Sequence, residues 1–397
     1  MPSMPVLDIK SLRSVFNGQV FEPEDAGYNE ARQIWNASVS KRPRVIARCS
    51  GLADVITAVN FARSNNLLTA IRGGGHNVGG RALCDDGLVI DLSGMRAVHV
   101  DAATRRVRVQ GGGTLGDLDR ETHVFGLAVP CGIVSKTGIA GLTLGGGVGW
   151  LIRKYGMSID NLLSAQVVTA EGKVLTASGT ENEDLFWALR GGGGNFGVVT
   201  SFEFQAHPVS TVLGGLVLYP RAMAVEVIRH FRDYMMSAPD ELTAYAALLH
   251  GPDGSPLVAV IPCYCGHVTD GERVLEPLRK FGSPILDGIQ AMTFPAYAVA
   301  AWPVVSGWQS QLLEVNAATQ IARRRDLGNC RTHQRAPFAT FRRCSGILRR
   351  GRRPGCKRSH CISAPRTAVG YFVYCSIGRI RRRQTCTVTG PGPARNC

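Results

Sequence analysis

Hydrophobic and polar positions in the first half of the chain follow two different spacings, which predicts strands interspersed with helices. A helix is expected after Ser50, a suitable N-cap residue, because apolar residues follow it at intervals of three and four. These residues are Val55, Ile56, Val59 and Ala62. Two further helices are expected over Thr114–Phe125 and Glu181–Arg190. The first of these has one apolar side, formed by Leu115, Leu118 and Phe125.

Short apolar runs bounded by glycine or polar residues predict strands in the same half. These runs are Leu67–Ile71, Gly87–Leu92, Arg106–Gln110 and Val198–Phe204. Two β-like runs within Ser164–Ser178 flank Glu171-Gly172, which is a hairpin signal. A second unit begins near Leu213, with a helix over Ala222–Met236 and a strand over Leu257–Ile261. The order of elements therefore predicts an α+β protein.

Glycine-rich stretches lie at the ends of the predicted strands. They are Gly73–Gly75, Gly79-Gly80, Gly111–Gly113, Gly138–Gly149 and Gly191–Gly194. Successive glycines leave main-chain N–H groups free to converge on an anion, so these stretches predict an extended ligand held along the backbone. Arg72 precedes the first stretch and adds a charge suited to a pyrophosphate. Neither the Rossmann fingerprint nor the phosphate-binding loop of nucleoside triphosphatases is met.

Charge is distributed unevenly, and the net charge of +15 does not describe the chain as a whole. From Arg323 to Cys397 nineteen Lys and Arg residues face a single acid, Asp326, so this stretch carries +18 and residues 1–322 carry −3. Seven of the twelve cysteines lie in the same stretch. A sequence of this composition is typical of GC-rich DNA translated in the wrong reading frame. We therefore expect residues 304–397 to be an aberrant, possibly frame-shifted tail.

Composition and spacing argue against several classes of protein. No apolar run reaches the length of about 18 residues that a membrane helix needs. No apolar run follows Lys10 and Arg13, so no secretory signal is expected and the cytoplasm is the expected location. Cys263 and Cys265 form a lone pair without a second pair, so no metal site is expected. The arginines of the tail allow nonspecific nucleic-acid binding, but the tail shows no recognition fold.

Seven motifs occur in one order within residues 40–207. They are Arg72-Gly-Gly-Gly-His76-Asn77, Gly87-Leu-Val-Ile-Asp91-Leu-Ser93, Gly111-Gly-Gly-Thr114, Cys131-Gly-x-x-x-x-Thr137-Gly138, Gly145-Gly-Gly-Val-Gly149, Asp160-Asn161-Leu162 and Leu189-Arg-Gly-Gly-Gly-Gly-Asn195-Phe196-Gly197-Val198. The set resembles the FAD-linked oxidases of the vanillyl-alcohol-oxidase type, with a PCMH-type FAD-binding domain, in the berberine-bridge-enzyme-like branch. The resemblance implies a two-subdomain α+β domain that holds FAD. It also implies a following α+β substrate domain with an antiparallel sheet, incomplete in this chain.

The resemblance further implies that the flavin is attached twice. His76 stands where the family bonds the flavin 8α-methyl group, and Cys131 stands where it bonds flavin C6. Two such links withdraw electrons from the ring and raise its reduction potential, which favours hydride removal from poor donors.

Other residues of the motifs are implied to line the flavin or its pyrophosphate. In addition to His76 and Cys131, the expected cofactor-binding residues are Arg72, Gly73, Gly74, Gly75, Asn77, Ser135, Thr137, Gly138, Gly141, Gly145, Asn161 and Val198. Ile139 falls where the family places a residue beside the flavin face that reacts with oxygen. Its bulk leaves the choice between oxidase and dehydrogenase open.

The implied reaction is oxidation of an alcohol, hemiacetal or amine of a sugar or secondary metabolite, with molecular oxygen as acceptor. A base takes a proton while the flavin takes a hydride, and in this family the base is commonly a tyrosine followed by Asn at Tyr-x-Asn spacing. Tyr371 and Tyr374 in the tail lack that setting, so no catalytic residue is named. Tyr155 either faces the flavin or packs, and packing is favoured. An FAD-binding but inactive protein remains the alternative.

These arguments divide the chain into four parts. An N-terminal segment spans residues 1–39, the FAD-binding domain spans 40–207, a partial substrate domain spans 208–303, and the tail spans 304–397. Because the expected catalytic end of the substrate domain has no counterpart in the tail, we expect little turnover from this chain.

Overall fold

The computed structural model describes residues 7–251 and 253–300, in which helices and β-sheets alternate. The helices are α1 (Ile9–Val15), α2 (Tyr28–Ala31), α3 (Leu52–Ser64), α4 (Leu115–His123), α5 (Ile139–Leu144), α6 (Ile152–Tyr155), α7 (Glu183–Leu189), α8 (Ala224–Met235), α9 (Val268–Arg279) and α10 (Phe294–Ala300). The mixture of helix and sheet confirms the predicted α+β class. No helix in the described ranges is long and apolar enough to cross a membrane.

Most strands are short and belong to three main sheets. They are β1 (Gln19–Phe21), β2 (Val45–Arg48), β3 (Thr69–Arg72), β4 (Leu88–Asp91), β5 (Val98–Asp101), β6 (Arg106–Gln110), β7 (Leu127–Ala128), β8 (Leu162–Val168), β9 (Val174–Ser178), β10 (Val198–Gln205), β11 (His207–Pro208), β12 (Thr211–Gly214), β13 (Val217–Pro220), β14 (Leu242–His250), β15 (Pro256–Tyr264), β16 (Leu286–Asp287) and β17 (Gln290–Thr293).

The first sheet has the order β1-β2-β4-β3, with β2, β4 and β3 parallel and β1 antiparallel to β2. Parallel strands are covered on both faces, so their sequences read as continuous apolar runs. Leu88 and Ile90 of β4 pack towards α3, whereas Val89 packs on the opposite side with Tyr28 and Leu83. The residues around α2 therefore cover the face of the sheet that α3 leaves open.

The second sheet is antiparallel and has the order β5-β6-β10-β8-β9. Val107 and Val109 of β6 are buried between exposed arginines, which is the alternation of a sheet with one wet face. The β8–β9 hairpin turns at Gly172, whose φ of +77° suits glycine. Helices α4 and α5 supply side chains to the core beneath this sheet.

The third sheet has the order β16-β13-β15-β12-β17, and β14 pairs along β15. Helices α8 and α9 pack on one face, through Val227, Phe231 and Leu275. The other face packs against Trp150 and Leu151, which follow the glycine stretch that ends at Gly149. This sheet therefore lies directly beside a segment predicted to hold the cofactor.

Most predicted elements are confirmed, but two details of the helices are wrong. Helix α3 is capped by Gly51 rather than Ser50, because the Ser50 N–H and hydroxyl donate to the Asp54 carboxylate at 2.9 and 2.8 Å. Phe125 lies beyond the end of α4 and is 50% exposed. The chain turns away there, since Gly126 adopts a φ of +65°.

Part of the predicted organisation lies outside the described residues. This holds for residues 301–303 and for the basic tail over 304–397, with Tyr371 and Tyr374. The borders proposed at residues 40 and 208 stay predictions. The strands of the first two main sheets fall within residues 19–205, and those of the third fall within residues 211–293.

Gly112 provides a test of how the first two sheets are joined. A Cβ atom at this position would lie 1.7 Å from the carbonyl oxygen of Leu92, which follows β4, and 2.9 Å from that of Met95. We predict that Gly112→Ala lowers the free energy of unfolding by about 3 kcal/mol, as overpacking in a tight core does, and lowers the melting temperature measured by circular dichroism. Gly179→Ala is the matched control, because its Cβ would meet nothing within 4 Å. Equal melting temperatures for the two variants would contradict this account of the joint.

Candidate cofactor site

The first glycine stretch leaves the end of β3 and contacts another glycine main chain to main chain. A Cβ atom added to Gly74 would lie 2.3 Å from the Gly138 nitrogen, and one added to Gly138 would lie 2.3 Å from the Gly74 nitrogen. Real Cβ atoms essentially never approach another atom within 3.0 Å, so neither position accepts a side chain. Gly75 follows with a φ of +69°, in the left-handed region that favours glycine.

A third stretch joins the same place. A Cβ atom on Gly73 would lie 3.1 Å from the Gly111 carbonyl oxygen. The Ile139 N–H donates to the Gly113 carbonyl at 2.9 Å, which ties the start of α5 to the same stretch. Three segments that are distant in sequence therefore converge through their backbones. That they hold an extended ligand stays a prediction.

Arg72 points a donor into this convergence. Its Nε atom is buried and has no hydrogen-bond partner within the described structure. A Cβ atom on Gly75 would lie 3.4 Å from that Nε, so the guanidinium borders the glycine stretch. Nη1 of the same guanidinium donates to the Ala31 carbonyl, which fixes the side chain. A buried unpaired arginine donor costs free energy unless an acceptor reaches it, so Arg72 fits an anionic ligand.

His76 lies half-buried just beyond Gly75, and its ring stacks on Trp35. The two ring centroids are 5.7 Å apart and the planes differ by 19°. Burial lowers the pKa of the imidazole, a hydrogen bond with the Lys136 main chain raises it in part, and the Lys136 charge lowers it further. The net lowering favours the neutral ring at neutral pH, and a neutral ring nitrogen is a nucleophile.

A cavity of about 220 Å³ lies between Trp35, Arg72, His76 and Lys136. Pockets that enclose a whole drug-sized ligand usually measure about 300–1,000 Å³, so this cavity would hold one part of a larger molecule. A larger cavity of about 500 Å³ lies elsewhere, near α1 and β1. We assign the smaller one to the cofactor because it borders the first glycine stretch.

Cys131 follows β7 and is buried in the core of the second sheet. The backbone of Gly149 lies against it, since a Cβ atom on Gly149 would fall 1.8 Å from the Cys131 carbonyl oxygen. Burial raises the pKa of the thiol well above its usual range, Asp119 raises it further, and the Ser158 hydroxyl lowers it in part. The thiol is therefore protonated at neutral pH, in contrast to the available lone pair of His76.

Asp119 is an unusual neighbour for a cysteine. Its side chain is 5% exposed on α4, and burial raises the pKa of its carboxyl to about 7. Ser158 also has a buried side chain, and its hydroxyl interacts with the thiol. The surroundings of Cys131 thus hold a carboxyl that titrates near neutrality and a buried hydroxyl.

Four other motif residues offer main-chain groups or unoccupied space rather than side-chain contacts. They are Ser135, Thr137, Gly141 and Gly145. The Ser135 and Thr137 carbonyls accept hydrogen bonds from Gly116 at 2.8 Å and Leu115 at 2.9 Å. A Cβ on Gly141 would meet nothing within 4 Å, so this exposed position is open to a ligand. Gly145 is also exposed.

Three further candidates have side chains occupied by other contacts. The Asn77 side chain is exposed and accepts the Arg81 N–H at 3.1 Å, which closes a turn. The Asn161 amide donates to the Tyr155 and Met157 carbonyls, both at 2.9 Å. Val198 lies in β10 and packs in the core of the first sheet. A cofactor role for these residues stays a prediction.

Tyr155 packs against a neighbour of Asn161. Its ring stacks on His207 with centroids 4.1 Å apart, and the His207 Nε2 atom lies 2.6 Å from the Asn161 Oδ1. Burial raises the pKa of the Tyr155 hydroxyl, and the nearby Lys154 charge lowers it in part. The contacts support the packing interpretation of Tyr155.

The third sheet is fastened to the segment that follows the Gly145–Gly149 stretch. The Tyr245 hydroxyl donates to the Gly149 carbonyl at 3.1 Å. Trp150 lies edge-on to Tyr245 and Tyr297, with centroid distances of 5.0 and 4.9 Å. Arg153 donates to the main-chain carbonyls of Leu242, the first residue of β14, and of Ala238 just before that strand. This sheet therefore has a fixed position relative to Cys131, which contacts Gly149.

Sequence reasoning missed several residues of the site. Trp35 lies in the N-terminal segment, outside every motif, and Lys136 occupies a variable position of the Cys131 motif. Asp119 looks like a surface residue of an amphipathic helix, since Asp117 and Arg120 next to it are polar as well. Of these residues, Ser158 alone could have been suspected from the sequence, because it lies nine residues after the Gly145–Gly149 stretch. No group of His, Cys, Asp or Glu within the described ranges is arranged to hold a metal ion.

The residues fit FAD. Three glycine stretches meet main chain to main chain, Gly141 in the helix that follows is open, and Arg72 has a buried, unpaired donor next to Gly75. His76 and Cys131 add a nitrogen nucleophile and a sulfur nucleophile. The His76 ring is neutral and has a lone pair available, whereas the Cys131 thiol is protonated.

Comparison with known proteins agrees with this fit. Residues 43–178 match the family of FAD binding domains. Its relatives are named FAD-linked oxidoreductases and oxidases.

Three relatives illustrate the similarity. The chain is 38% identical to (R)-6-hydroxynicotine oxidase of Paenarthrobacter nicotinovorans, over 70% of this chain and 61% of that protein. The crystal structure of 6-hydroxy-D-nicotine oxidase from Arthrobacter nicotinovorans superposes with a TM-score of 0.70 and 35% identity, covering 73% of this chain and 64% of that one. The berberine-bridge-enzyme-like protein 1 of Physcomitrella patens gives 0.68 and 26%, covering 74% and 64%. The chain spans about three fifths of the length of the curated relatives it matches.

Asp119 provides a test of the electrostatics at Cys131. Its folded pKa of about 7 lies above the value of an ordinary carboxyl, so stability is lost as the pH rises from about 4 to 7 and the loss is complete above that range. We predict that Asp119→Asn raises the free energy of unfolding by up to roughly 4 kcal/mol at pH 8 and changes it little at pH 4. Melting temperatures across this pH range measure the difference. The control is Asp233→Asn, because Asp233 is an exposed aspartate. A difference that does not vary with pH would contradict the assignment.

Proposed function

We propose that this chain is an FAD-dependent oxidoreductase that removes a hydride from an alcohol, hemiacetal or amine of a sugar or secondary metabolite. The observation that carries the proposal is the convergence of three glycine stretches beside Arg72 and His76, within the segment that matches FAD binding domains. Relatives named as oxidases support molecular oxygen as the acceptor. The reaction of the whole protein is a proposal because the chain spans only part of these relatives.

The same site supports two covalent links to the flavin. The lowered pKa of His76 keeps a ring nitrogen available to bond the flavin 8α carbon. Formation of this C–N bond breaks one N–H and one C–H bond. The two protons and two electrons released would be taken up in the end by molecular oxygen, which would give hydrogen peroxide. The Cys131 sulfur would bond flavin C6 with the same balance, an S–H bond being broken in place of the N–H bond.

The two links are expected to form at different rates. The thiolate is the nucleophilic form of cysteine, and burial with Asp119 makes it scarce at Cys131. The imidazole of His76 needs no such ionisation. We therefore expect attachment at His76 to come first, and the Cys131 link would follow because a tethered flavin stays close to the thiol.

The third sheet supports a substrate site next to the flavin. It packs against Trp150, and its Tyr245 hydroxyl is bonded to Gly149, which in turn touches Cys131. A substrate lying between this sheet and the glycine stretches would be close to the attached ring. Ile139 is fully buried at the start of α5. A bulky side chain beside the flavin would slow its reaction with oxygen, so the proposal does not fix the rate of that reaction.

Intact mass of the denatured full chain, with in-gel flavin fluorescence in acid, tests the covalent links. We predict that wild type gains the mass of one FAD, less the hydrogens lost at each link. His76→Ala and Cys131→Ala each still hold acid-stable flavin through the remaining link. A time course at neutral pH should show Cys131→Ala gaining flavin as fast as wild type and His76→Ala gaining it more slowly.

The controls are His99→Ala, an exposed histidine of β5, and Cys84→Ala, a buried cysteine of another core cluster. Both should behave as wild type. Soluble wild-type protein that binds no flavin would defeat the cofactor proposal, and flavin lost in acid from wild type would defeat the covalent part alone.

A further inference from the structure

The N-terminal segment holds the His76 stretch at four points. We call residues 31–41 the N-terminal clamp. The Ala31 carbonyl accepts from Arg72, and the Trp35 N–H donates to the Gly75 carbonyl at 3.1 Å. Further along, the Asn36 amide donates to the Val78 carbonyl at 2.7 Å, and the Lys41 ammonium donates to the Gly80 carbonyl at 3.0 Å. Successive bonds along the clamp meet successive positions of residues 72–80, so the two segments run together.

Side chains of the clamp fill the space that the glycines leave. The Ile34 side chain would lie 3.4 Å from a Cβ atom on Gly75, and the Val39 side chain would lie 2.7 Å from one on Gly80. The Asn36 amide is itself oriented, because its oxygen accepts from the N–H and the hydroxyl of Ser38 at 3.1 and 2.7 Å. The clamp is therefore a built feature rather than a loose contact.

Trp35 is the member of the clamp that meets the reactive ring. Its backbone is bonded to Gly75, the residue before His76, and its indole stacks on the imidazole at 5.7 Å with planes 19° apart. A ring held by its neighbour on one face cannot rotate freely about its χ2 angle. The stacking thus restricts the direction in which the imidazole nitrogens point.

We propose that Trp35 is a positioning residue that orients His76 for covalent attachment of the flavin. The proposal rests on the covalent link at His76 proposed above. Attachment requires a ring nitrogen in line with the carbon that it bonds, and a misplacement of about 1 Å can cost on the order of a hundredfold in rate. Trp35 also covers one face of the imidazole, since the two rings are stacked.

The test separates orientation of His76 from binding of FAD. Full-length apoprotein carrying Cys131→Ala, which leaves His76 as the one proposed link, is mixed with FAD. Acid-stable flavin is then measured over time with Trp35 retained, with Trp35→Phe and with Trp35→Leu. We expect Trp35→Leu to slow attachment by on the order of a hundredfold, and Trp35→Phe to remain near wild type because it retains a stacking ring. Trp187→Leu is the matched control, since Trp187 on α7 is 79% exposed.

Affinity is measured without either covalent step, in a background that carries both His76→Ala and Cys131→Ala. In that background we expect Trp35→Leu to raise the FAD dissociation constant, measured by flavin fluorescence, far less than it slows attachment, although Trp35 lines the cofactor cavity. Attachment at the wild-type rate in Trp35→Leu would overturn the proposal. So would a loss of FAD affinity that accounts for the whole loss of rate, because Trp35 would then be a binding contact.

A second readout needs no flavin. Diethyl pyrocarbonate modifies neutral histidine, and peptide mass spectrometry follows modification of His76 in the apoprotein. We expect faster modification in Trp35→Leu than in wild type and Trp187→Leu, because one face of the ring is uncovered. Equal rates would overturn the proposal even if wild type attached no flavin. Wild type without acid-stable flavin but with faster modification in Trp35→Leu would defeat only the covalent link.

Discussion

The site depends on main chains that approach each other where a side chain cannot fit. Gly74 and Gly138 meet at such a point, Gly112 lies against Leu92 where the first two sheets join, and Gly149 lies against Cys131. Each contact brings together segments from different parts of the fold. The missing Cβ atoms therefore do more than permit turns, because they set how closely these segments approach and place the His76 stretch against the segment that follows Cys131.

Much of this arrangement could be predicted from sequence, because glycine stretches and alternating apolar runs are local signals. Arg106–Gln110 forms a strand as expected, and the hairpin turns at Gly172. Local signals failed where a side chain had two possible partners. Ser50 resembles a helix cap, yet it bonds Asp54 while Gly51 takes the cap position.

The residues that escaped prediction act through distant partners. Trp35 meets His76 from a segment that has no motif of its own, and nothing in the spacing of the chain indicates that contact. Asp119 lies among polar residues of α4, so its burial depends on tertiary packing that a helical pattern cannot reveal. The repeated glycines were enough to predict the class of ligand. The pKa shifts of His76 and Cys131 depend on burial and on neighbours that only the three-dimensional structure reveals.

The N-terminal clamp also limits how the sequences of residues 31–41 and 72–80 can change during evolution. All four of its bonds to residues 72–80 end on main-chain carbonyls, such as those of Ala31 and Val78. Every residue type supplies that acceptor, so the side chains at Ala31 and Val78 carry no recognition of their own. The specificity lies in a few donors, Arg72, Asn36 and Lys41. Ala31 and Val78 can therefore drift under mutation while the two segments still recognise each other, whereas the acceptors Gly75 and Gly80 are held by their positive φ angles.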